Sequence, residues 1–387
     1  MTSGPLVCCL LRRCVAILLW ITMRKFWILS LAVITYLLFS YTNIFKVLKA
    51  GLRRGEADNT YDGFYFSNTE VDLGYRKRHG GQEWREIVGS WDHHYQVKSQ
   101  IEGDVVNTYP DEVTFLVEES EACRDPPLVL AMVVTAVTNW HRRHFIRHTW
   151  GHPALVQVTG VKPLFVMGQV NDKKHQDSVM RESQQHHDVV QANFIDSYRN
   201  LTYKTMALLT WAAQHCPLAP VILKIDDDVI LNPVALREFL LVYLQEHPQP
   251  TRIMGKVRCC DPVLRKGKWG VPEDIYPKKG YPTYVAGPSY IVPTPIIPTL
   301  LQAIKRTKFF FLEDVYTTGL AAKTSGVHHY NIFSLTNSFA SKMDYYWCSG
   351  ARVFQENVDM KQAIQGWNAL RILENLTYIP PYVLGTR

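Results

Sequence analysis

Between Pro127 and His247, short apolar runs alternate with longer polar stretches of helical period. This alternation leaves few folds open to the chain. LVLAMVVTAV at 128–137, PLFVMG at 163–168, VVQANF at 189–194 and PVILKID at 220–226 are rich in β-branched residues. The first is apolar without a break, as a strand buried on both faces must be. The spacing predicts helices over 140–149, 172–187, 201–215 and from Pro233 to about His247, the last opened by an Asn232 cap and a proline at its first position. Strands separated by helices need crossover connections. The expected class is therefore α/β, a mostly parallel sheet flanked by helices.

The fourth run ends in LKIDDDVILN, residues 223–232. In open α/β sheets, ligands bind beyond the carboxyl ends of the strands, and Asp226, Asp227 and Asp228 would stand there. Three adjacent carboxylates repel one another, and their hard oxygens suit Mg²⁺ or Mn²⁺. An acidic turn with helix-capping duties is the plainer alternative. The apolar flanks favour a cation, because charges gathered beside a buried strand are costly without one.

The first 125 residues read differently. Phe26 to Phe45 carries no charge and is bracketed by Arg24-Lys25 and Lys46. It is close to the roughly 20 residues that span a bilayer as a helix. It is read as an uncleaved anchor preceded by a tail, residues 1–25. Residues 46–125 are polar, irregular and rich in aromatics, and are read as a stem, leaving 126–387 as the folded domain. The net charge of +7 does not indicate a nucleic-acid partner. Eight of the 42 basic residues precede the first acidic one, Glu56, which leaves 34 against 35 acidic residues. Beyond the anchor, Cys123, Cys216, Cys259, Cys260 and Cys348 permit two bridges and one thiol, with the pairing open. Asn200-Leu-Thr202 and Asn375-Leu-Thr377 match the glycosylation acceptor pattern.

KIDDDVILN occurs together with IRHTWG at 146–151, DSYRNLTYKT at 196–205, KWGVPEDIYP at 268–277, YPTYVAGPSYIV at 281–292 and FLEDVYTTG at 311–319. This ordered set resembles the β1,3-galactosyltransferase family, glycosyltransferase family thirty-one, from about Pro127 to Phe333. The resemblance implies a GT-A fold in a type II Golgi membrane protein with its catalytic domain luminal. It implies inverting transfer of galactose or an N-acetylhexosamine from a UDP-sugar to the 3-hydroxyl of a glycan on a glycolipid or glycoprotein, with Mn²⁺ (or Mg²⁺). By the same resemblance Asp228 and Asp226 would hold the metal, with Asp226 also near ribose or sugar and Asp227 in support. Asp314 would be the general base and Glu313 an acceptor contact. Arg143, Arg147 and Lys204 would face the nucleotide, although a structural ion pair is open to each. Some relatives add a histidine ligand, for which His328 or His329 is a candidate. Trp269, Tyr281, Tyr284 and Tyr290 are candidate sugar-pocket residues, with core packing the default for each.

One departure from the family pattern is Gly287-Pro288-Ser289-Tyr290, where relatives often have consecutive glycines; Pro288 removes an N–H from the donor pocket. Two other functions fit parts of the pattern. A catalytically inactive relative acting as a glycan-binding or chaperone-like Golgi protein would not need both Asp228 and Asp314. A Mg²⁺-dependent phosphotransferase would need a phosphate-binding glycine loop, and the sequence has no GxxxxGK[ST].

Overall fold

The computed structural model describes residues 113–338, Trp347 and 352–383. The tail, the anchor segment Phe26–Phe45, most of the expected stem and Cys348 lie outside them. Among the described residues, no helix is long and apolar enough to cross a membrane.

Four parallel strands form the centre of an eight-stranded mixed sheet: β2 (Val129–Val134), β3 (Val161–Gln169), β4 (Val189–Ile195) and β5 (Val221–Asp226). The helices α1 (Trp140–Arg147), α2 (Pro153–Thr159), α3 (Lys173–His186), α4 (Leu201–His215) and α5 (Pro233–Glu246) connect or follow them. The apolar run of β2 shows why this sheet is covered on both sides. Leu130, Met132 and Val134 enter one core with α4, while Val129, Ala131 and Val133 enter another with α1, α2 and α5. All six are buried. Two cores, one per face, follow from strand alternation in a run with no polar side.

The domain starts earlier than the sequence suggested. β1 (Phe115–Val117) lies within the expected stem, yet pairs antiparallel with β4 and closes that edge. Its three residues are too few to show a period. A disulfide joins Cys123 to Cys216 at the end of α4, fastening the same region. Cys259 is bonded to its neighbour Cys260.

Beyond β5 the sheet turns antiparallel. β8 (Tyr284–Pro293) pairs with β5, and β7 (Arg252–Arg258) pairs with β8. β9 (His328–Asn331) runs parallel to β7 at the far edge. Between β7 and β8 the register jumps: Gly255 faces Tyr290, but Val257 faces Val285. The extra residues form a bulge containing Gly287 and Pro288, where a missing proline N–H disturbs no regular ladder bond. The helix α6 (Ile297–Arg306) follows, then a π-helical turn, Val315–Ala321, that runs into the short α7 (Ala322–Ser325). A small second sheet orders β10 (Thr336–Asn337), β11 (Phe354–Gln355) and β6 (Ile230–Leu231), and α8 (Met360–Leu373) closes the chain.

Candidate active site

Asp226 ends β5, and Val134, its register partner, ends β2. The aspartate triplet therefore stands at the carboxyl edge of the parallel strands. The Asp227 amide bonds the Val134 carbonyl and the Val229 amide bonds the Asp226 carbonyl, which shapes the turn. Behind it, Val358 donates its N–H to the Asp228 carbonyl, and Arg142 caps the Val358 carbonyl at 2.9 Å. A strap drawn from the C-terminal part of the chain thus holds the acidic turn from behind.

The three carboxylates are not equivalent. Asp227 accepts from Thr135 Oγ1 at 2.6 Å and Asn139 Nδ2 at 2.9 Å, so it ties the turn to the loop after β2. Asp226 accepts from Lys224 Nζ at 2.6 Å and remains 35% exposed. The Asp228 carboxylate takes no hydrogen bond or ion pair from the described residues. Burial, with Asp226 and Asp227 beside it, pushes its pKa up to about 6. A half-buried carboxylate repelled by two others is costly to ionise without a compensating cation. Among the described residues no group of three or more ligating side chains converges as a full metal cage.

Lys224 is the residue that sequence reasoning missed. It is 3% exposed, and its ammonium reaches Asp226, the Gly287 carbonyl at 2.5 Å and Glu313 at 3.7 Å. Burial works against that charge, but Asp226 and Glu313 outweigh it and hold the pKa above its ordinary value. Lys224 faces Tyr290 across the β5–β8 pairing, and the Tyr290 hydroxyl donates to Glu313 at 2.5 Å. Tyr290 is fully buried, so it braces Glu313 and does not line an open sugar pocket. Glu313 is 7% exposed, and burial lifts its pKa to about 7. Tyr290 and Lys224 occupy it, which corrects the expectation of an acceptor contact.

Asp314 caps the π-helical turn. Its two oxygens accept from the Val315 amide at 2.9 Å and the Gly287 amide at 3.0 Å. The second bond exists because the β8 bulge turns its backbone inward. A Cβ on Gly287 would stand 3.2 Å from the Asp314 carboxylate, close enough that the carboxylate would have to give by a few tenths of an ångström. Burial raises the Asp314 pKa, opposed by these amides and by Lys224. A desolvated, fixed carboxylate of this kind can accept a proton.

Several expected site residues are used elsewhere. Arg143 is buried, and its donors go to Glu182 and to the Ala136 and Val137 carbonyls. Arg147 bonds Asp188 at 2.8 and 2.7 Å and pairs with Glu182 at 2.7 Å. Burial works against Glu182, yet the two guanidiniums hold its pKa below the ordinary 4.5. Lys204 is buried between Asp196 and the Thr135 carbonyl. Arg143 and Lys204 hold the loop after β2 beside the triplet, Arg147 ties α1 to Glu182 and Asp188, and the structural ion pair left open for each of the three is formed. His328 pairs with Arg252 at the amino end of β7, opposite the edge that carries the triplet. It is therefore separated from the metal site assigned to it. His329 bonds the Thr318 carbonyl at 2.6 Å.

Of the aromatics, Tyr284 and Tyr281 are 8% exposed in the core, and the Tyr284 hydroxyl donates to Asp261 at 2.7 Å. Trp269 is 53% exposed and remains open to a ligand. The Asn200 amide is taken up by the Ile195 carbonyl, and Thr202 of its tripeptide is fully buried against Phe310, so the folded chain does not present this acceptor. Asn375 is exposed just after α8.

The galactosyltransferase family model matches residues 141–332. Mouse beta-1,3-galactosyltransferase 1 is 28% identical over 272 residues, which cover 69% of this chain and 81% of that protein. Rat UDP-GlcNAc:betaGal beta-1,3-N-acetylglucosaminyltransferase 7 is 30% identical over 246 residues, covering 60% of this chain and 61% of the relative. Among solved structures, S. aureus TarS 1-349 in complex with UDP matches 63% of this chain and 64% of that one, with 11% identity and a TM-score of 0.31, a likeness too slight to carry an argument.

Proposed function

We propose, from the premise that this chain belongs to the galactosyltransferase family and is a glycosyltransferase, that it is an inverting UDP-sugar β1,3-hexosyltransferase of GT-A type. The observation that carries the reading is the pairing of two unlike carboxylate sites at one sheet edge. Asp228 has no hydrogen-bond or ion-pair partner among the described residues and is repelled by its neighbours, whereas Asp314 is fixed by two backbone amides.

In this reading the donor's diphosphate lies over the triplet. Asp228, with Asp226 beside it, would hold Mn²⁺ (or Mg²⁺), and the residues fit because Asp228 brings negative charge with no hydrogen-bond or ion-pair partner among the described residues. The bound ion would neutralise the departing UDP. Asp314 takes the proton of the acceptor 3-hydroxyl as that oxygen bonds to the anomeric carbon and the bond to UDP breaks. A single base suffices for one displacement with inversion. Lys224 keeps Asp226 and Glu313 in place, so that the negative charges do not drive the turn apart. The donor sugar is galactose or an N-acetylhexosamine, and the acceptor is a glycan on a glycolipid or glycoprotein. Phe26–Phe45 would hold the enzyme as a single-pass type II Golgi protein with a luminal domain, and Asn375 would carry a glycan.

The test is direct. Purified protein is incubated with UDP-galactose, UDP-N-acetylgalactosamine or UDP-N-acetylglucosamine and an acceptor panel, with Mn²⁺ or with chelator. One donor should give a β1,3-linked product that chelator abolishes. Absence of turnover with every donor would sink the reading.

A further inference from the structure

The connection between β7 and β8, residues 259–283, is long for two neighbouring strands, and it does not stay above them. In the sheet order β4-β3-β2-β5-β8-β7, the strands it joins lie at one side, while Tyr198 stands past the carboxyl end of β4 at the other. The connection nevertheless reaches Tyr198. Lys268 Nζ sits 4.7 Å from the centroid of the Tyr198 ring and 5.7 Å from that of Trp269, so the two rings share one cation. Val263, Val271 and Tyr276 pack the arch onto the core that contains α4, Phe310 and Phe311, and Arg265 ties its own carbonyls at Val271, Tyr276 and Lys278. It is thus a braced span over the sheet edge that carries Asp226.

Its contact point is open. Trp269 is 53% exposed and Tyr198 is 43% exposed, and among the described residues no carboxylate lies within ion-pair distance of Lys268. Tyr198 also lies within electrostatic reach of Asp314 and Asp226. A large aromatic face with hydrogen-bond donors at its rim, held near a base, has the composition of a ligand subsite. Trp150, Trp211, Trp347 and Trp367 are all buried; of the two exposed tryptophans among the described residues, Trp269 stands beside Tyr198, whereas Trp140 opens α1.

We infer that Trp269, Tyr198 and Lys268 form the acceptor platform. The apolar face of the acceptor hexose lies on the Trp269 ring, and Lys268 and Tyr198 bond its hydroxyls so that one of them is presented to Asp314. The assignment rests on the transferase reading above. A platform that binds acceptor equally in ground and transition states shows in KM and leaves kcat alone.

The experiment is acceptor-dependent kinetics on the purified full chain with its active donor. Trp269→Ala should raise the acceptor KM about tenfold, the loss of one aromatic contact. The kcat at saturating acceptor and the donor KM should change less than threefold. Trp269→Phe should recover most of the loss, and Leu218→Ala, an exposed site before β5, should change nothing. A fall in kcat at unchanged acceptor KM, or a raised donor KM, would overturn the assignment. A second measurement needs no turnover. Trisaccharides ending in β-galactose or β-N-acetylhexosamine are titrated against tryptophan fluorescence in wild type and Trp269→Phe. A quench in the wild type that vanishes in the variant supports the platform. A quench that survives, or no quench with either sugar, overturns it. If no donor turns over but the Trp269-dependent quench is present, the transferase reading fails and the platform stands.

Discussion

In the proposed reaction Asp314 is the base, and two N–H groups fix its orientation, one from Val315 beside it and one from Gly287 on β8. Asp314→Asn should lower transfer by about 10³-fold while UDP affinity in Mn²⁺ stays within about twofold. Loss of UDP binding, measured by calorimetry, would show that its role is misassigned. Away from the chemistry, Glu182 answers both Arg143 and Arg147. Because its folded pKa lies below 4.5, its stabilisation is present above that pH and is lost as pH falls through the lowered folded value. The difference in melting temperature between wild type and Glu182→Gln should be constant from pH 6 to 8 and shrink below about pH 4. If it persists undiminished in acid, the ion pairs do not supply it. The aspartates were legible in the sequence because charge beside a buried strand is conspicuous. The cations were not. Arg143 and Arg147 look alike whether they face a phosphate or a carboxylate about 40 residues away, as Lys204 does whether it faces a phosphate or Asp196, and Lys224 looks like any strand residue until β8 is laid beside it.

At the scale of elements, the parallel half of the sheet was readable because its apolar runs and intervening helical periods repeat. β7, β8 and β9 were harder. They are joined by an arch and a π-helical turn, and they alternate weakly because β8 is buried on both sides. Family motifs marked the β8 region, but the bulge in it depends on pairing with β7, and pairing is not a local property. Pro288, which seemed to threaten the donor pocket, sits where the ladder is already broken. Gly287 is the residue that matters there. Gly287→Ala should displace the Asp314 carboxylate by a few tenths of an ångström and cut kcat about tenfold, with the melting temperature little changed. A variant with unaltered kcat would mean that this contact does not position the base. Replacing the pair Cys123 and Cys216 by alanine should lower stability by about 2–5 kcal/mol in denaturant titration, since the bridge closes a separation of 93 residues. An unchanged midpoint would show that β1 and α4 are held by packing alone.

For the whole molecule, charge and hydropathy mark Phe26–Phe45 as the proposed anchor, and the first described element, β1, starts at Phe115. A chain lacking residues 1–45 should be secreted from cells fitted with a cleavable leader and should keep the specific activity of the full chain. Retention in membranes would place an anchor elsewhere. The strap behind the acidic turn has a further consequence. The Asp228 carbonyl receives its bond from Val358, 130 positions later, and Asn232 donates its Nδ2 to the Glu374 carboxylate at 2.9 Å. Every residue with a chemical part in the site has left the ribosome well before Val358 and Glu374 have. A nascent chain therefore carries its acidic triplet and Asp314 before it carries the groups that hold the turn from behind. A product cut short before Val358 would keep every one of these carboxylates and lose both ties to the frame behind them.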